Sequence, residues 1–63
     1  MTQKTIIGTV ELMNTGRADL FNHSTPGNIE YHVFNRDNKL VTVGNGTPKM
    51  AGAAVETALN KMI

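Results

Sequence analysis

The sequence predicts an α+β fold: a small four-stranded, mostly antiparallel sheet (β-β-β-β-α) with one C-terminal helix packed on one face. Three observations predict it. Period-two runs rich in β-branched residues fill the first two-thirds of the chain. Turn-forming residues interrupt those runs at short intervals. An apolar stripe of helical period closes the sequence. The 63 residues make one small domain, with room for no second one.

The first run, "TIIGTVELM" at residues 5–13, places Ile6, Gly8, Val10 and Leu12 on one parity and Thr5, Thr9 and Glu11 on the other. Ile6, Val10 and Met13 also fall at helical spacing. Gly8 and the β-branched residues disfavour a helix, so the strand is the better reading. "NTG" then turns the chain, and residues 17–22 form a short second strand. In the loop "HSTPGN", Pro26-Gly27 suits the centre of a type II turn: proline presets the first dihedral and glycine accepts the positive one. The third strand, "IEYHVFN", puts Ile29, Tyr31 and Val33 on one face and Glu30, His32 and Phe34 on the other. Asp37-Asn38 supplies the turn, and residues 39–43 run back as the fourth strand.

"VGNGTPK" reads as a glycine turn that reverses the chain from strand to helix. Thr47 can cap the helix by accepting from a free amide of the first turn, and Pro48 sits where its missing donor costs nothing. Ala51, Ala54, Val55, Ala58, Leu59 and Met62 then recur at the spacing of one helix face. A helix N-terminus with Lys49 in its first turn is a possible anion site. The spacing of a phosphate-binding loop is missing, however, and glycines at a chain reversal need no ligand to account for them.

Composition narrows the chemistry. A chain this short buries only about 60% of the surface its unfolded form exposes. It has no cysteine, so neither disulfides nor thiolate zinc sites can reinforce the core, and self-association rises as the alternative. Six basic and five acidic residues give a net charge of +1, a weak footprint for nucleic acid or an anionic membrane. The opening "MTQKTIIGTVELMN" is too short and polar for a signal peptide or membrane span, which points to a cytoplasmic protein. The sequons at Asn22 and Asn45 read as chance matches. Ser24 lies in the Pro-Gly loop beside His23 with no nucleophile-elbow pattern, and Asp19, Asp37, Glu11, Glu30 and Glu56 form no paired motif. His23 and His32 could ligate a metal, with Asp19 on the parity of His23, but no third ligand is signalled. The expectation is no enzyme, no cofactor and no metal.

Residues 29–62 resemble the hairpin-plus-helix end of the double-stranded RNA-binding domain. Counted from Gly44, Ala54, Val55, Ala58 and Leu59 fall at that family's Ala-Ala and Ala-Leu positions. The resemblance implies RNA binding. The positions of the family's phosphate-gripping lysines are Thr47, Pro48 and Ala51 here, with Lys49 the basic residue of the first turn. "YHVFNRDNKLVTV" is similar to the histidine-bearing hairpin of small messenger-RNA-cleaving toxins, which implies His32 as a catalytic base. From Gly16 onward the strand and turn spacing resembles the YegP-like domains, which implies no activity.

One helix cannot cover both faces of a sheet. Ile7, Met13 and Phe34 are therefore expected on the uncovered side, and Gly52, Ala53 and Glu56 form a small-residue outer helix face. That face either admits another surface closely or reflects neutral drift. The leading expectation is a non-enzymatic protein-interaction or regulatory accessory module of phage type. Its expected partner is a second copy, as a homodimer, or a host or cognate protein. The alternative is RNA binding through Arg17, Arg36, Lys39 and Lys49.

Overall fold

The computed structural model describes residues 6–62. Strands β1 (Ile6–Leu12), β2 (Gly16–Asn22), β3 (Ile29–Asn35) and β4 (Leu40–Gly46) precede helix α1 (Pro48–Lys61). The strands form one sheet in the order β1-β2-β3-β4, each antiparallel to its neighbour. This is the α+β architecture the sequence predicts.

Each turn is built from the residues that suit it. The Asn28 amide donates to the Thr25 carbonyl at 3.1 Å, and Gly27 has φ 84°. Thr25-Pro26-Gly27-Asn28 is thus a type II turn with its glycine where φ must be positive. Asn14 (φ 63°) and Asn38 (φ 66°) take the left-handed conformation in the β1–β2 and β3–β4 turns, where a short polar side chain is tolerated. The Asn35 carboxamide oxygen steadies the second of these turns, accepting from the amides of Asp37 at 2.9 Å and Lys39 at 3.1 Å.

Pairing register sorts the side chains onto two faces. Val10, Ala18, Val33 and Thr42 stand in one cross-strand row, with Leu20 and Tyr31 in the next, and this face carries the helix. The open face has three rows: Ile6, Phe21, Glu30 and Asn45; Thr9, Asp19, His32 and Val43; Glu11, Arg17, Phe34 and Leu40.

Two expectations need correction. Ile6 does not share a face with Gly8, Val10 and Leu12. Ile6 pairs with Phe21 while Gly8 pairs with Leu20, so Ile7 is an extra residue without a partner opposite, and this bulge shifts Ile6 to the open face. The stretch "VGNG" is not a turn. Gly44 and Gly46 lie within β4, opposite Tyr31 and Ile29, and neither has positive φ. Close approach explains the first glycine: a Cβ on Gly44 would collide with the Tyr31 ring, 2.5 Å from its Cζ. The strand therefore runs three residues beyond the expected 39–43, and a single residue, Thr47, separates it from the helix.

Helix α1 starts as its sequence dictates. The Met50 amide donates to Thr47 Oγ1 at 3.3 Å, and Pro48 occupies the first turn. Ala51, Val55 and Leu59 of the expected stripe are buried. Together with Ala18 and Val33 they make up the fully buried hydrophobic core, around which Leu12, Leu20, Tyr31, Ala58 and Met62 pack. The helix lies chiefly over β3 and β4 and touches β2 less. Alanines at 51, 54 and 58 allow that close seat.

Candidate functional site

The open face is managed from within at its centre. The Arg17 guanidinium carbon sits 4.4 Å from the Phe34 ring centroid, a cation–π cover worth about 0.5–1 kcal/mol at a partly exposed site. Arg17 Nε also lies 3.5 Å from Asp19 Oδ1, and its Nη1 donates to the Asn38 carboxamide oxygen. His32 packs on Phe21 with ring centroids 4.6 Å apart, and its Nε2 donates to Glu30 Oε2 at 2.5 Å. Thr9 Oγ1 donates to Asp19 at 3.3 Å. Phe21 and Phe34 are consequently only half-exposed. Glu11, Asp19 and Glu30 face one guanidinium on this surface, so among the described residues it is acidic.

Unshielded apolar surface stands instead at the two edges of the sheet. Ile6, Ile7 and Val10 on β1 are exposed, as are Leu40, Val41 and Val43 on β4. Sequence reasoning singled out Ile7 alone among these six. Parity separates the faces of a strand but does not say which strands lie at an edge.

The expected binding residues are not gathered on one surface. Phe34 lies on the open face beneath Arg17. Ile7 is in the β1 bulge, and Met13, 83% exposed, is in the β1–β2 turn. Gly52, Ala53 and Glu56 are exposed on the helix but split between its flanks. Gly52 and Glu56 border a groove of about 320 Å³ over Val10 and Leu12 of β1. Ala53 borders a second groove, of about 630 Å³, between the other flank and β4. It is lined also by Val41, Thr42, Ala54, Thr57 and Ala58.

Of the cations considered for nucleic acid, Arg17, Arg36 and Lys39 converge on the end of the sheet that holds the β3–β4 turn, where Arg17 reaches Asn38. Lys49 lies at the opposite end, in the first helical turn beside Gly46. Among the described residues there is no cluster of three His, Asp or Glu side chains that could hold a metal ion. No helix among them is long and apolar enough to cross a membrane.

No protein-family model, curated protein or solved structure matches the chain. The functional reading therefore rests on the surface itself.

Proposed function

We propose that this chain is a non-enzymatic protein-interaction module that self-associates and acts by occupying the surface of a partner. One observation carries the reading: the distribution of large apolar side chains is inverted. Val33, Val55 and Leu59 are the large residues of the fully buried core, whereas Ile6, Ile7, Val10, Met13, Leu40, Val41, Val43 and Met50 are exposed. Scattered surface hydrophobics are ordinary. Here six of the eight lie on β1 and β4, the outer strands of the sheet among the described residues, where edge backbone donors and acceptors add to the tendency to associate.

Energetics point the same way. At roughly 0.05–0.15 kcal/mol per residue, a domain of 63 residues retains about 3–9 kcal/mol, and its small core favours the lower end. A second copy at a hundred times its dissociation constant adds about 2.7 kcal/mol. Self-association thus supplies a substantial fraction of the total.

Sedimentation equilibrium over a hundredfold range of concentration, with thermal unfolding on the same samples, tests the proposal. A reversible monomer–dimer equilibrium is expected, with a midpoint temperature that climbs with concentration. A monomer throughout, with a constant midpoint, would refute it.

A further inference from the structure

We propose that Asn45–Gly46 is a self-modifying site, at which the chain's own backbone converts the Asn45 carboxamide to a carboxylate and the new charge loosens the junction between β4 and α1. Asn45 is the one asparagine in the sequence that glycine follows. The Gly46 backbone nitrogen gives up its proton to solvent and bonds to Cγ of Asn45. The Cγ–Nδ2 bond breaks, the amide nitrogen takes up a proton and leaves as ammonia, and a cyclic imide remains. Water then opens the ring. Addition at the side-chain carbonyl gives aspartate, and addition at the main-chain carbonyl gives isoaspartate, in which the backbone runs through the former side chain. Water is the sole co-reactant. Glycine matters because any Cβ on the attacking residue crowds the approach.

The fold sets how readily this happens. Asn45 is exposed, and its Oδ1 accepts a long hydrogen bond of 3.4 Å from Asn28 Nδ2. Extended backbone holds the Gly46 nitrogen away from Cγ of Asn45, so the end of the strand must open before the ring can close. Gly46 is the last residue of β4, and its pairing with Ile29 is the terminal pair of the β3–β4 register. Strand ends open at a far smaller free energy than the core. Asn14 and Asn38 sit in turns with left-handed backbone, but Thr15 and Lys39 follow them and their side chains hinder the attack.

Position 45 is also where a new charge is poorly tolerated. Asn45 stands directly opposite Glu30 on the open face, with Cα atoms about 4.5–5.5 Å apart in such a pair. The Glu30 side chain is only 12% exposed, and its Oε2 accepts from His32 Nε2 at 2.5 Å. A carboxylate at position 45 therefore faces a like charge that water screens weakly, and directly opposed like charges destabilise a sheet. Isoaspartate acts by geometry as well. It lengthens the main chain by one methylene between Gly44, seated against the Tyr31 ring, and Thr47, whose Oγ1 caps the helix.

A time course on the full chain tests the site, in mildly alkaline buffer at physiological temperature and in parallel in urea, read by peptide mapping with mass spectrometry that separates aspartate from isoaspartate. The folded chain should convert at Asn45 ahead of every other asparagine, at least about tenfold more slowly than in urea because the strand end must first open. Gly46→Ala should slow the conversion several-fold in urea, where the contact its Cβ would make with Met50 in the fold plays no part. Asn45→Asp should lower the unfolding midpoint by about 2–8 °C, and the loss should disappear when the same change is made in Glu30→Gln. A folded chain that stays unmodified while the urea sample converts, or that converts first at another asparagine, overturns the site. An Asn45→Asp variant as stable as the wild type, or a loss that persists in Glu30→Gln, overturns the role of the new charge.

Discussion

Gly52→Ala separates two accounts of the outer helix face. Gly52 lies in α1 and is exposed, and a Cβ built on it has no heavy atom within 4 Å. Alanine is favoured over glycine in a helix interior by about 0.8–1.0 kcal/mol, and with no neighbour to oppose the methyl group that gain should be realised in full. Unfolding entropy near 2.1 cal/mol/K per residue gives about 130 cal/mol/K for 63 residues. The midpoint should therefore rise by about 6–8 °C. Thermal unfolding followed by circular dichroism at 222 nm measures it, at low and high protein concentration. Gly52 borders the groove over Val10 and Leu12 of β1, where its methyl group would stay in solvent, so the increment should be the same at both concentrations. A rise at low concentration that vanishes at high concentration would place Gly52 inside a contact between copies and refute the open-solvent account of this face. No rise at either would refute the helix-propensity argument.

Other substitutions probe the elements singly. Leu59→Ala removes the largest buried side chain of the core, 4% exposed. It should cost about 2–5 kcal/mol, enough to leave much of the chain unfolded in a urea titration unless self-association restores it. Thr47→Ala removes the acceptor for the Met50 amide and should cost about 1 kcal/mol in the same assay. Gly16→Ala sets a Cβ against the Phe34 carbonyl oxygen of the neighbouring strand, with Met62 Cε at 3.3 Å. Because the obstacle is backbone, a loss of about 1–3 kcal/mol is expected, opposite in sign to Gly52→Ala. Equal stabilities for the two alanine variants would contradict the assignment of one glycine to close approach and the other to open solvent.

The fold was legible where local chemistry decides the outcome. Pro26-Gly27 named its turn type, Thr47-Pro48 named the helix start, and the spacing of Ala51, Val55 and Leu59 named the buried stripe. The two misreadings have a common origin in tertiary contact. "VGNG" looks like a turn because glycine serves both reversal and close approach. Only the Tyr31 ring lying against Gly44 separates the two. The Ile7 bulge likewise leaves no mark in the period-two pattern. The open face was expected to be apolar because Ile7, Met13 and Phe34 were placed on it, yet Ile7 lies in the β1 bulge and Met13 in the β1–β2 turn. The cover of Phe34 by Arg17 comes from pairing β2 against β3, with Arg17 opposite Phe34, and residues seventeen positions apart do not announce that they meet. The exposed edge was illegible for a related reason. Nothing in "LVTVGNG" says that, among the described residues, it is an outer strand of the sheet.

Charge placement bears on the RNA-binding alternative. A nucleic acid on the open face would meet Glu11, Asp19 and Glu30, and the guanidinium there is engaged with Phe34, Asp19 and Asn38. The remaining approach is the β3–β4 turn, where Arg36 and Lys39 stand. Lys49, at the other end of the sheet, cannot join them on one short phosphate track. Even with Arg17 released, about three phosphate contacts result. For a duplex that predicts a salt slope near −2.7 and about a fortyfold loss between 50 and 200 mM salt, from affinity already in the weak, non-specific range. A gel shift with duplex RNA at about 1 μM protein and 50 mM salt should show no complex. A complex that forms there and disappears in Arg36→Ala/Lys39→Ala would establish the turn as a phosphate-binding site and displace the protein-docking reading. Absence of a complex leaves the acidic face and the uncharged β4 edge as the surfaces to explain, and an uncharged strand edge fits a polypeptide better than a polyanion.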